Sequence, residues 1–347
     1  MAGKRQHYLP RFLQRGFLSR KRKREELAFV FYSNGKHYEH SIKQIAVESR
    51  FYEIDEMTAD DVVTDLEGCY AGIVDRIRKS GKIQSDDLNK LVEFIDHLVL
   101  RTKNSRSLLG GSTGYLVDKV EKSVVTTDFI TNLLKSGSFQ DRVIEKVIAS
   151  ILKEKPESSP EVLRELIRDK IAQDNAEMTR YAVEQARIVG PQFFSSVRGK
   201  LKNEIVKTQI NFLRSNEHTS EKFKKYMELK WSVKEYELGD LILGDIGVVG
   251  INMHGDVIPP LFESNFYKLI FPISSNLLVI GSVDDSSLDL TKNEVNTLLS
   301  SMSIYLFVAS NMSSDISRLS KLIGCRSCEF YKETIDSIVR DRFGIQR

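Results

Sequence analysis

Apolar and polar positions follow two different periods along this chain, and the change of period divides it. Leu27 to Ser33 reads Leu-Ala-Phe-Val-Phe-Tyr-Ser, Asn34-Gly35 follows, and Lys36 to Ser41 completes the second arm. Two β-rich runs around Asn-Gly predict a hairpin with a type I′ turn. A short helix is expected around Ile42–Glu48 and a strand at Phe51–Ile54. From about 58 to 230 the apolar period becomes helical and proline is nearly absent. Thr58 and Ser85 are expected as N-caps, each with acids in the following turn. Leu88, Leu91, Val92, Ile95, Leu98 and Val99 repeat as one buried helical face. Gly110-Gly111 is expected to break the pattern before a helix at 114–135, and another helix is expected at 139–153. Lys155 to Pro160 reads as a linker, and a long helix from 160 to 188 is expected to stop at Gly190-Pro191.

The period shortens again at Trp231. Ser232–Glu237, Leu241–Leu243, Gly247–Ile251, Tyr267–Phe271 and Leu277–Gly281 read as short strands between Gly, Pro, Asn and Asp. Thr291 with Glu294 forms a capping-box pattern for a helix expected to run to about Ala309, and the tail from 313 to 343 reads as helical. A lone hairpin is marginal in water, so the strands at 27–41 need an apolar partner. The expected fold is therefore α+β and predominantly helical, its short mixed or antiparallel sheet built from N- and C-terminal segments around a large helical insertion. The corresponding division is 1–56, an arm and hairpin packing with the C-terminal part; 57–230, helical; and 231–347, α+β.

Composition excludes several classes. An apolar content of 41% over 347 residues is that of a globular protein, and no run approaches the roughly 20 apolar residues of a membrane span. Three cysteines, Cys69, Cys325 and Cys328, do not make a secreted disulfide framework, so a cytosolic setting is expected. The net charge of +3 hides an asymmetry: residues 1–25 carry +8 and the remainder −5. Arg11, Arg15 and the run Arg20, Lys21, Arg22, Lys23, Arg24 are thus candidates to contact nucleic acid or another polyanion. A solvated loop is the alternative for that run.

The segment His7-Tyr8-Leu9-Pro10-Arg11-Phe12-Leu13-Gln14-Arg15-Gly16-Phe17 resembles the opening signature of a large, mainly microbial family, domain of unknown function 4238. Phe51-Tyr52-Glu53-Ile54-Asp55, Leu66-Glu67, Arg101-Thr102 with Arg106, Trp231, Asp245, Phe271-Pro272-Ile273-Ser274 and Asn296 resemble its further landmarks, in order, over about 7–310. Where the family usually reads Ser-Asp-Asn-Pro, this chain has Gly244-Asp245-Ile246-Gly247. The resemblance implies an accessory protein of microbes or mobile elements, with phage defence as one setting, and implies no established reaction.

Candidate chemistry comes from few residues. His7 reads either as a base or ligand, or as part of an arm that Tyr8, Phe12 and Phe17 anchor. Arg101 and Arg106 suit either a helix C-terminus or a phosphate. Asp240 and Asp245 flank a short run and are candidates to hold Mg²⁺, or are ordinary turn residues. Cys325-x-x-Cys328 has half a zinc spacing. Gly110-Gly111-Ser112-Thr113-Gly114 could cradle an anion at a helix start or simply connect helices. No Gly-x-Ser-x-Gly, His-Glu-x-x-His or Gly-x-Gly-x-x-Gly fingerprint is present. Three functions follow: a nucleic-acid or polyanion contact through the basic N-terminus, a metal-dependent phosphodiester or nucleotide hydrolase using His7, Arg101 and Asp245, and a protein-interaction module.

Overall fold

A computed structural model describes residues 5–215, 221–261, 266–284, 290–327, 332–333, 335–337 and 340. The chain divides into two compact units, Met1–Ser112 with Lys202–Thr334 and Thr113–Leu201 with Ile335–Arg347.

The first unit opens with strand β1 (Arg5–His7) and the short helix α1 (Arg11–Gln14), followed by β2 (Arg20–Arg22), β3 (Glu25–Tyr32) and β4 (His37–Ser41). The β3–β4 hairpin forms as expected but with a longer turn. Tyr32 N–H bonds the Lys36 carbonyl at 2.9 Å, and of Asn34 and Gly35 only Gly35 takes a positive φ, 77°. That is a three-residue connection with glycine in the left-handed position, in place of the two-residue type I′ turn.

No helix forms at 42–48. Residues 42–46 make turns and β5 (Val47–Ser49) pairs with β1. The backbone there is used by distant partners: Ile42 N–H bonds the Glu26 carbonyl, and the Ala46 carbonyl takes the Tyr8 N–H. Ala46 itself has φ 51°, incompatible with a right-handed helix. The strand expected at 51–54 is reduced to β6 (Glu53–Ile54), which pairs with β7 (Met57–Thr58).

Helix α2 (Asp60–Ser80) starts from Ala59, not Thr58, and α3 (Ser85–Arg101) from Gln84, with Ser85 inside its first turn. The acids expected in both first turns are there. The face of α3 predicted as apolar is buried from Leu91 to Val99. Phe94 on that face meets the rings of Phe12, Tyr70 and Phe271 at 5.2, 5.0 and 5.7 Å. Helix α4 (Lys103–Val124) follows at once, because Thr102 is extended and its hydroxyl takes the Ser105 N–H at 3.1 Å. This helix runs straight through Gly110-Gly111. Two glycines cost about 2 kcal/mol of helix propensity but do not stop a 22-residue helix.

The second unit is helical. It contains α5 (Thr127–Lys135), α6 (Gly137–Glu154) and α7 (Pro160–Gln173), whose N-caps Thr126, Ser136 and Ser159 each accept from the third residue on. Ion pairs Arg164–Glu145 and Arg168–Asp141 join α7 to α6. The helix expected to end at 188 is instead two, α7 and the 40-residue α8 (Asn175–Arg214), with Pro191 inside the latter. Proline removes one N–H, and Pro191 is exposed, so water can satisfy the carbonyl left free. The chain passes between the units within α4 and α8.

Returning to the first unit, α9 (Glu221–Glu228) leads into β8 (Lys230–Glu235), β9 (Leu243–Gly244), β10 (Val249–Ile251), β11 (Val257–Ile258), β12 (Lys268–Pro272) and β13 (Leu277–Ser282). Helix α10 (Lys292–Met302) carries the complete Thr291–Glu294 capping box. It stops at Ser303, and Leu306–Ala309 is strand β14, not the end of the helix. Helix α11 (Ser314–Leu319) is the main described helix of the tail.

These strands make two five-stranded antiparallel sheets. One is ordered β11-β10-β12-β13-β8; the other follows the path β2-β3-β14-β9, and β4 also pairs with β3. In the second, Phe29–Tyr32 pair with Leu306–Ala309. The N-terminal hairpin thus finds its partner in C-terminal strands, in a sheet separate from that of β8 and β10–β13. One continuous core, including Leu13, Phe17, Phe31, Ile95, Phe271, Val279 and Phe307, fills this unit.

Candidate functional site

The motif residues meet at the buried end of α3. Arg101 is 1% exposed, and its guanidinium donates to the His7 carbonyl (2.9 Å), the Glu67 carboxylate (2.5 Å) and the Tyr52 hydroxyl (3.1 Å). Tyr52 donates in turn to the same His7 carbonyl at 2.9 Å, and its own N–H bonds Gln6 Oε1. Burial opposes the Arg101 charge, but the Tyr52 oxygen and Glu67 outweigh it and hold the group fully protonated. Arg106, one turn into α4, lies over the Phe51 ring (3.7 Å) and donates to the Phe51 carbonyl and Gln209. Tyr8 packs its ring against Phe51 at 5.6 Å. Both arginines therefore hold the N-terminal arm by its main chain.

His7 itself is half-buried. Its Nε2 lies 3.2 Å from the Ile42 carbonyl, so Nε2 carries the proton and Nδ1 keeps its lone pair. Burial lowers its pKa, the Arg11 and Arg101 charges add to that, and the Ile42 bond and Glu67 act against it.

Asp245 serves a different network. It is fully buried; Oδ1 accepts from Asn104 Nδ2 (3.1 Å) and Ile304 N–H (3.0 Å), Oδ2 from Tyr305 N–H (2.7 Å) and Leu306 N–H (3.1 Å). Burial raises its pKa and these four donors oppose the rise. Gly244 before it has no room for a side chain, since an added Cβ would meet Ser303 Oγ. The departure from the family's Ser-Asp-Asn-Pro thus keeps the one side chain that starts β14.

Asp240 is engaged elsewhere again, by Lys292 Nζ (2.7 Å) and Asn311 Nδ2 (2.6 Å), which lower its pKa despite partial burial. It borders a polar groove of about 400 Å³ with Lys292, Asn296, Asp315 and Arg318. The carboxylates of Asp240 and Asp245 accept from separate donor sets, and no cluster of three His, Cys, Asp or Glu suited to a metal occurs among the described residues. His7 and Arg101 are brought together through a main-chain carbonyl; Asp245 shares none of their hydrogen bonds.

The other motif residues hold the fold. Asn296 accepts from Ile242 N–H and donates to the Asp240 carbonyl. Trp231 donates to the Tyr226 carbonyl, and its ring lies over Gly281. Phe12 and Phe17 are buried, Pro10 precedes α1, and Phe271 and Pro272 end β12. Gly110–Gly114 lies inside α4, so it offers no helix N-terminus to an anion. Cys325 is exposed and Cys328 lies outside the described residues. Arg78, which no motif marked, donates to the carbonyls of Phe12, Leu13 and Ile273, and burial lowers its pKa to about 10.

The basic N-terminus splits in two. Arg15 and Arg20 are paired with Glu26 and Glu39. Lys21 and Arg22 end β2, opposite Glu26 and Glu25 of β3, and Lys23 and Arg24 form the turn between the strands; all four are exposed and make no side-chain hydrogen bond or ion pair among the described residues. Lys23 takes a positive φ of 53° at the tip.

No helix among the described residues is long and apolar enough to cross a membrane. No curated protein and no solved structure matches the chain. The model of one family, described as a protein of unknown function, matches residues 5–317, which include the His7–Arg101 node, the basic turn and the Asp245 network. The chain belongs to that family, DUF4238.

Proposed function

We propose that this protein contacts nucleic acid through the β2–β3 turn. The observation that carries the reading is the contrast within one basic segment: two arginines form ion pairs with glutamates, and the four consecutive exposed cations at the end of β2 and in the turn after it form none among the described residues. Unpaired surface cations bind phosphates by releasing condensed counterions, which makes the affinity steeply salt-dependent. A two-stranded ribbon is also a shape that a nucleic-acid groove admits. A nucleic-acid partner agrees with the accessory, defence-associated setting that the family resemblance implies.

The test is binding of labelled single- and double-stranded oligonucleotides at several salt concentrations. Replacing Lys21, Arg22, Lys23 and Arg24 by Ser is expected to weaken binding and to flatten the log K against log salt slope by roughly 3 to 4. Binding and slope that survive this replacement unchanged would overturn the reading.

A further inference from the structure

One cation of the signature segment has no partner and is not on the open turn. Arg11 opens α1, four residues after His7, and makes no hydrogen bond or ion pair among the described residues. Its Nε is sealed from solvent and faces no acceptor, while its two terminal nitrogens, also without a partner among the described residues, are open to solvent and form the fork that a ligand can reach. Glu67 is the carboxylate of this cluster, and it is taken by Arg101. A guanidinium N–H cut off from water costs free energy unless an acceptor is supplied.

His7 completes the arrangement. Its Nε2–H is spent on the Ile42 carbonyl, which orients the ring and leaves Nδ1 as the unused nitrogen. Arg101 fixes the His7 main chain, so the imidazole and the Arg11 fork are carried by one short, braced segment. A planar guanidinium pairs with the oxygens of a phosphate by two parallel bonds, and a protonated phosphate oxygen can donate to an imidazole lone pair.

We infer that Arg11 and His7 form a binding site for one phosphate monoester, the terminal phosphate of a nucleic acid. The inference rests on the nucleic-acid reading above and gives this site a separate task. The exposed turn takes backbone phosphates of any sequence, while the recessed Arg11 takes the one phosphate that projects from a strand end with up to two charges.

The test compares oligonucleotides of one sequence bearing a 5′-phosphate or a 5′-hydroxyl. The intact chain is expected to favour the phosphorylated end by about fivefold, equivalent to one good hydrogen-bonded contact. Arg11→Gln should bring that ratio to one, and Arg11→Lys, which keeps the charge without the fork, should retain part of it. The serine variant of residues 21–24 should weaken both oligonucleotides alike and keep the ratio. A ratio of one in the intact chain, or an unchanged ratio in Arg11→Gln, would overturn the inference. Should neither oligonucleotide bind, the nucleic-acid reading fails, and inorganic phosphate then tests the site alone through the His7 imidazole NMR signals. A phosphate-dependent shift that Arg11→Gln removes supports a free-phosphate site; no shift overturns it.

Discussion

The Arg101 guanidinium donates to the main-chain carbonyl of His7, 94 positions earlier in the chain, at 2.9 Å. The signature histidine is thus held by its backbone, which leaves its ring free of that task. The same arginine pairs with Tyr52, which is buried with it, and with Glu67, whose carboxylate side is partly open to solvent.

Arg101→Met should therefore lower stability by about 1–3 kcal/mol, the cost of leaving a buried acceptor such as the Tyr52 oxygen without its donor. Arg101→Lys should recover only part of this, because an ammonium has no fork. Urea unfolding midpoints measure both. A loss below about 1 kcal/mol for the methionine variant would show that the node does not brace the arm.

Asp245→Asn keeps the shape but turns one of the two acceptor oxygens into a donor. Whichever way the amide is turned, it faces two N–H groups that need an acceptor. A loss of about 3 kcal/mol is expected. Hydrogen exchange should speed up first at the amides of residues 304–309. Protection there equal to that of the unaltered chain would sink the assignment.

Stability should fall with acidity through His7. Its pKa in the folded protein lies below the ordinary 6.5, chiefly by burial, with Arg11 and Arg101 adding and Ile42 and Glu67 opposing. The unfolded chain then binds the proton first. This contribution is complete above about pH 6.5, is lost as the pH falls from there to the folded pKa, and is level below it. His7→Asn should remove that part of the unfolding midpoint's pH profile; an identical profile in the variant would count against it.

Gly16→Ala should destabilise by about 1–3 kcal/mol. A methyl group there meets the Ile273 carbonyl and the Arg78 guanidinium that bonds it, neither of which can withdraw without losing hydrogen bonds. Thermal melting gives the difference directly, and an unchanged midpoint would mean the contact relaxes freely.

What could be read in advance depended on whether the cause was local. The capping box at Thr291, the face of α3 and the hairpin around Asn34-Gly35 all arise from neighbours a few residues apart, and all three form. The misplaced elements have distant causes. Residues 42–46 lose their helix to Tyr8 and Glu26, and Leu306–Ala309 becomes strand because Asp245 takes the amides before it and β3 waits beside it. At the candidate site, residue types identified Arg101 and His7 but not what Arg101 does. Nothing in the spacing of Glu67, Tyr52 and Arg101 announces that they meet, and Arg78 has no local signature at all. The separation of paired from unpaired cations in 15–24 likewise needed Glu26 and Glu39 to be placed in space.

The pairing of β3 with β14 also sets a problem of timing. Tyr32 and Leu306 stand opposite one another but are joined to the growing chain roughly 270 residues apart. At about 5–20 residues per second, the β3 edge emerges from the ribosome on the order of 14–55 s before its partner is made. Through that interval the hairpin carries an open, aromatic edge, and a neighbouring nascent chain presents the same one. The exposed lysines and arginines of the adjoining turn then have an earlier use, as like charges that keep two unfinished copies from pairing edge to edge.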